Sequence, residues 1–143
     1  MKRAKLRWIP IVALIVSLNL LSCGGNSGEG TTTSGMLDTS FGKGGIVTTA
    51  IGSGAFAYAL AIQSDGKLVA AGRSGEFTLA RYNTDGSLDT TFGTGGIVTT
   101  AIGSLDNEGN ALTIQLDGKL VTAGFSYDLS LSQYEFALAR YWP

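Results

Sequence analysis

With 143 residues, ten basic and eleven acidic, the chain is sized for one domain at most and is close to neutral. It has no histidine, which removes the commonest general base and the commonest metal ligand together; its one cysteine excludes an intrachain disulfide and cysteine-cluster zinc or iron–sulfur sites. Four of the ten basic residues, Lys2, Arg3, Lys5 and Arg7, fall in the first seven positions, so the remainder is net acidic, and an acidic domain without a basic stripe argues against nucleic-acid binding.

The first predicted element is a leader over residues 1–22. Lys2 to Arg7 is positive, and Ile9 to Leu21 is apolar except at Ser17 and Asn19. That run of 13 residues is too short to cross a bilayer, which takes about 20. A positive start, a short apolar core and a small residue before the cut describe a helical export signal. Leu20-Leu21-Ser22-Cys23 resembles the lipobox of bacterial lipoproteins. The resemblance implies cleavage before Cys23, acylation of that cysteine and a membrane held as partner through the lipid. Gly24 follows the cysteine where an inner-membrane sorting signal would have Asp, which resembles an outer-membrane destination. Residues 23–36 read as a tether, because Gly24 to Gly35 contains no large apolar residue.

An internal repeat occupies the rest, with copies at 37–87 and 88–143. Leu37-Asp38-Thr39-Ser40-Phe41-Gly42 returns as Leu88-Asp89-Thr90-Thr91-Phe92-Gly93, and Gly44 to Ser53 returns unchanged as Gly95 to Ser104, at an offset of 51. Gln63-Ser64-Asp65-Gly66-Lys67-Leu68-Val69 matches Gln115 to Val121 at 52, and Leu79-Ala80-Arg81-Tyr82 matches Leu138 to Tyr141 at 59. The second copy therefore gains one residue near Asp106 to Gly109 and seven between Gly124 and Phe136.

Each copy predicts four short strands, in the first copy 46–51, 57–63, 67–73 and 77–83, rich in β-branched and aromatic residues. Asp65-Gly66 and Asp117-Gly118 predict tight two-residue hairpins with both turn residues at positive φ. In Ala57-Tyr58-Ala59-Leu60-Ala61-Ile62 large residues alternate with alanines, so both faces are expected to be covered by other sheets. The fold class expected is all-β: two four-stranded antiparallel β-propeller-like blades after the helical signal peptide.

The pattern Leu-Asp-Thr-Thr-Phe-Gly-x-Gly-Gly, then Ala-x-x-Ile-Gln-x-Asp-Gly-Lys-Leu-Val-x-Ala-Gly, then Phe-x-Leu-Ala-Arg-Tyr, resembles the delta-60 repeat family across residues 37–141. That family is a predicted β-propeller class of bacterial exported proteins, with no function assigned. Relatives carry many repeats and this chain carries two, whereas a propeller closes with roughly 4 to 8 blades. Three outcomes follow: self-association of several chains to complete a propeller, a small sandwich of two sheets, or a shortened remnant. The register, with the second copy reaching its last strand at Tyr141, favours gain or loss of whole repeats.

No residue stands out as catalytic, and no metal or cofactor is implied. Arg81 and Arg140, at equivalent places, suit an anion site or, more simply, an ion pair with Asp38 or Asp89. Asn83 to Asp89 has oxygen ligands at odd spacing, as calcium loops do, but lacks the terminal Glu and reads more simply as an Asp-Gly turn. Binding function is expected where the copies differ, on predicted loops at 105–110 and 125–135 that carry Asp106, Glu108, Tyr127, Asp128, Tyr134 and Glu135. Asp106 with Glu108, or Asp128 with Glu135, would be the carboxylate pair of a glycan-active enzyme fragment. A serine nucleophile would need a lysine base, yet Lys67 and Lys119 follow turns and read as solvated. The function expected is a non-enzymatic binding or scaffold module held on the envelope; the alternatives are that enzyme fragment or a degenerate paralogue without a selected role.

Overall fold

The structure, a computed structural model, describes residues 34–143. Cys23, the leader and the tether up to residue 33 lie outside the described residues. The described part is all-β. Seven strands follow in order: β1 (Phe56–Ile62), β2 (Leu68–Arg73), β3 (Phe77–Tyr82), β4 (Ile97–Thr100), β5 (Leu105–Ile114), β6 (Leu120–Asp128) and β7 (Gln133–Tyr141). They form two antiparallel sheets, β1-β2-β3-β4 and β5-β6-β7. We refer to these sheets as the first and second blade.

The sheets depart from the expected four plus four. The fourth strand of the first blade is Ile97–Thr100, which belongs to the second copy of the repeat. The matching segment of the first copy, 46–51, is no strand at all and keeps only a bridge between Gly42 and Ile46. Identical residues thus differ in structure because a strand exists only beside a partner, and the outer edge of β3 is offered to residues 97–100 alone. Blade and sequence repeat are offset by one strand.

The hairpins follow the sequence in place but not in type. Gly66 has φ 84° while Asp65 keeps negative φ. Gly66 N–H donates to the Gln63 carbonyl at 2.9 Å and Gln63 N–H to the Lys67 carbonyl at 2.8 Å. This is a type I turn closed by a glycine in the left-handed region, a three-residue loop rather than the expected two-residue one. Asp65 contributes its carboxylate, which accepts from Lys67 N–H. The same bonds recur around Gly118 and, between the copies, around Gly86.

The blades stack face to face, β5 lying across β1 and β2. On the first blade Val69, Ala71, Leu79 and Phe77 point to this junction; Leu120 and Thr122 answer from the second, with Leu112 and Ile114 beside them. The expectation that both faces of β1 are covered fails. Leu60 and Ile62 point away from the second blade and are exposed, since no further sheet lies among the described residues to cover them. Where β1 and β2 join, Gly72 leaves room for the backbone of a bulge. A Cβ there would sit 1.8 Å from the Phe56 carbonyl oxygen.

Candidate functional site

The seven added residues do not make a loop. They lengthen the β6–β7 hairpin, so the pairing runs on through Phe125↔Phe136, Ser126↔Glu135, Tyr127↔Tyr134 and Asp128↔Gln133 before the turn at 129–132. Tyr127, Asp128, Tyr134 and Glu135 therefore lie on strands, and so do Asp106 and Glu108, on β5. The expected loops are corrected to sheet. The polar character of these stretches hid a pairing that only the partner strand supplies.

Alternation then sorts the side chains. Residues directly opposite each other share a face, so Phe125, Tyr127, Tyr134, Phe136 and Leu138 stand together on the side of the second blade that faces away from the first. The Tyr134 ring meets Tyr127 edge-on at 4.9 Å between centroids and Phe125 at 5.4 Å. The patch is open to solvent. Phe136 is 98% exposed and Leu138 70%, whereas their repeat equivalents Phe77 and Leu79 are both fully buried. One sequence, Phe-x-Leu-Ala-Arg-Tyr, is core in one blade and surface in the other, because the first blade has a neighbour on that side. Phe136 and Leu138 were legible only as blade residues and Phe125 only as the start of an expected loop; what brings them to a surface is that no further sheet among the described residues covers this face.

The carboxylates have structural partners. Glu108 accepts from the Arg73 guanidinium across the blade junction, and this bond holds the Arg73 pKa above its ordinary value. Asp106, at φ 45°, sits in a bulge between Leu105 and Glu108, where the one added residue is absorbed. Asp128 Oδ1 accepts from Ser130 Oγ at 2.6 Å and Ser130 N–H at 2.7 Å, which closes the hairpin turn and lowers its pKa. A glycosidase acid needs the opposite shift. Glu135 lies two pairs from Asp128 along the hairpin, and its Oε1 accepts from Gln133 at 3.3 Å.

The repeat arginines diverge. Arg81 is buried with its Nε 2.9 Å from Asp89 Oδ2, its Nη2 donates to Thr91 Oγ1 at 3.2 Å, and its guanidinium lies 4.5 Å from the Phe92 ring centre. Lys67, expected to be solvated, reaches the same Asp89 oxygen at 3.0 Å. Lys119 pairs with Asp117 and lies over the Trp142 ring. Arg140 is exposed and has no ion pair among the described residues. In the stretch 83–89, Asp85 Oδ1 is taken by Ser87 N–H and Oγ, and Asp89 by Lys67 and Arg81. It is a turn with its oxygens in use.

A family model described as a domain of unknown function (DUF5122) beta-propeller matches residues 63–92. That span runs from the first Asp-Gly turn through β2 and β3 to Phe92, and so contains Lys67, Arg81 and Asp89. No curated protein and no solved structure matches the chain. The two antiparallel sheets, stacked face to face, are consistent with propeller-like blades, and residues 63–92 are similar to that β-propeller domain of unknown function.

Proposed function

We propose that the chain is an exported lipoprotein, anchored through Cys23 in the outer membrane, whose delta-60-type repeats form a non-enzymatic binding or scaffold module. The observation that carries the binding role is the open face of the second blade, where Phe125, Tyr127, Tyr134, Phe136 and Leu138 stand together. A contiguous exposed apolar surface of this kind is a usual mark of an interaction site. The leader and the Leu-Leu-Ser-Cys sequence support the anchor. The engagement of Glu108 and Asp128 in structural bonds supports a role without turnover.

Two measurements test the reading. Fatty-acid labelling and envelope fractionation of the wild-type chain and of Cys23→Ser should show label and membrane retention only for the wild type; retention of an unlabelled Cys23→Ser chain in the membrane would remove the anchor. The purified chain should leave a panel of envelope glycans uncleaved, and cleavage lost on substituting Asp128 and Glu135 together would replace the binding role with an enzymatic one.

A further inference from the structure

We propose that two copies of the chain join head to tail by strand addition, residues 37–49 of one copy docking on β7 and the open face of the second blade of another. The proposal rests on the reading of that face as a binding surface and names its occupant.

The template lies inside the chain. Residues 88–100, the start of the second copy, dock on the first blade in two ways, and the strand that follows them adds a third contact. Ile97–Thr100 adds to the edge of β3 with Val98 opposite Leu79. Asp89 Oδ2 receives Arg81 and Lys67. Leu112 and Ile114, on β5 behind them, pack against the face that holds Val69 and Leu79.

The edge strand, the apolar face and the arginine of that interface have open equivalents, while Lys119, in the place of Lys67, is held by Asp117 and Trp142. Beyond β7 the second blade has no outer strand among the described residues, and Phe136 and Leu138 are exposed. Arg140 is exposed, in the place of the buried Arg81. The donor segment is preformed. Phe41 N–H to Asp38 O (3.0 Å), Gly45 N–H to Phe41 O (2.8 Å) and Lys43 N–H to Ile46 O (2.9 Å) repeat the bonds of Phe92, Gly96 and Thr94 in the second copy. Asp38 Oδ1 holds Ser40 as Asp89 Oδ1 holds Thr91, which leaves Asp38 Oδ2 to receive a cation. Tyr82 Oη bonds Thr49 Oγ1 at 2.9 Å, as Tyr141 Oη bonds Thr100 Oγ1 at 3.0 Å, so residues 46–49 are already seated beside their own blade. Leu60 and Ile62, equivalent to Leu112 and Ile114, are exposed on the face that would meet the second blade of the partner copy.

The offsets fix the register: Val47 of one copy opposite Leu138 of the other, Thr48 opposite Ala137, and Asp38 against Arg140 and Lys119. The contact is heterologous, so it yields a closed ring if the rotation closes and a filament if it does not. A ring of roughly 4 to 8 blades takes about two to four chains.

The test uses the full-length chain in detergent. Light scattering should show concentration-dependent association. Asp38→Arg and Arg140→Asp should each weaken it roughly 30-fold, and the two together should restore it. Unchanged circular dichroism checks that each variant folds. A second measurement does not depend on charge. In the Cys23→Ser chain, Val47→Cys and Leu138→Cys variants mixed and oxidised should give a disulfide heterodimer, since directly opposed strand residues lie within disulfide reach. A monomer at every concentration overturns the proposal, and so does association indifferent to both charge variants without cross-linking. Either result leaves lipid labelling at Cys23 unaffected, so failure here is distinguishable from failure of the anchored binding module.

Discussion

Arg81 Nε lies 2.9 Å from Asp89 Oδ2, and the two residues belong to different copies of the repeat. The contact is one of charge rather than an aligned hydrogen bond. Lys67 joins it from the first copy. The junction between repeats is therefore held by a buried anion with two cations, and this arrangement has a measurable acid dependence.

The Asp89 carboxyl is held well below the usual carboxylate range, first by the Thr91 hydroxyl and then by Lys67. Its folded pKa lies below its unfolded one, so its stabilisation is fully present above the unfolded value, about 4, and is lost as pH falls from there. We expect Asp89→Asn to lower the urea midpoint at pH 7 and to flatten the loss of stability below about pH 4. Urea titrations of both chains at pH 7, 4 and 3 check this; parallel acid profiles would show that Asp89 is not the coupled group.

Leu79 and Leu138 are repeat equivalents in opposite surroundings. Leu79→Ala should cost about 2–5 kcal/mol, because it opens a cavity in the junction between blades. Leu138→Ala should stay within about 0.5 kcal/mol at dilutions where the chain is monomeric. Equal costs in denaturant unfolding would mean that the two blades are covered alike in solution.

Backbone proximity gives a third expectation. Gly72→Ala places a methyl group against the Phe56 carbonyl, where backbone must shift, at about 1–3 kcal/mol. Gly66→Ala strains the turn at φ 84°, at about 1–2 kcal/mol, and leaves the bulge alone. Thermal unfolding separates them: Gly72→Ala should also lose amide protection in β1, and Gly66→Ala should not.

The Tyr127–Tyr134 contact is expected to stabilise the long hairpin. Tyr134→Ala should cost about 0.5–1.5 kcal/mol and Tyr134→Phe much less, since the rings meet edge to face and no hydrogen bond is given to either hydroxyl among the described residues. A double-mutant cycle with Tyr127→Ala measures the coupling, and zero coupling would leave the two rings energetically independent.

Much of the first blade was legible from residue types. The positions of the Asp-Gly turns, the three strands 57–63, 67–73 and 77–83 and the Arg–Asp pair all follow from turn chemistry, alternation and charge. What escaped depends on whether a segment finds a partner strand, near or remote in sequence. Residues 46–49 and 97–100 share Ile-Val-Thr-Thr, yet only the second set finds an edge to join. Propensity is equal at the two places, so nothing local distinguishes them. The same holds for 125–135: polar residues and a serine-rich turn read as loop, while an antiparallel partner eight or so residues away makes them strand. The exposed aromatic face was hidden for a related reason, because coverage depends on how many sheets stand in a row rather than on the residues of one.

The offset of one strand between blade and repeat has a consequence for how such chains change length. Each internal junction is completed by the repeat that follows, so adding or deleting a whole repeat leaves every internal blade intact. What it cannot remove is one bare edge at one end of a row and one unpaired strand at the other. That pair of loose ends is invariant to repeat number, and the proposed head-to-tail docking would make it self-complementary. Under that docking, a row of any length would carry the means of its own closure or of its own polymerisation, and the angle between successive blades would decide which.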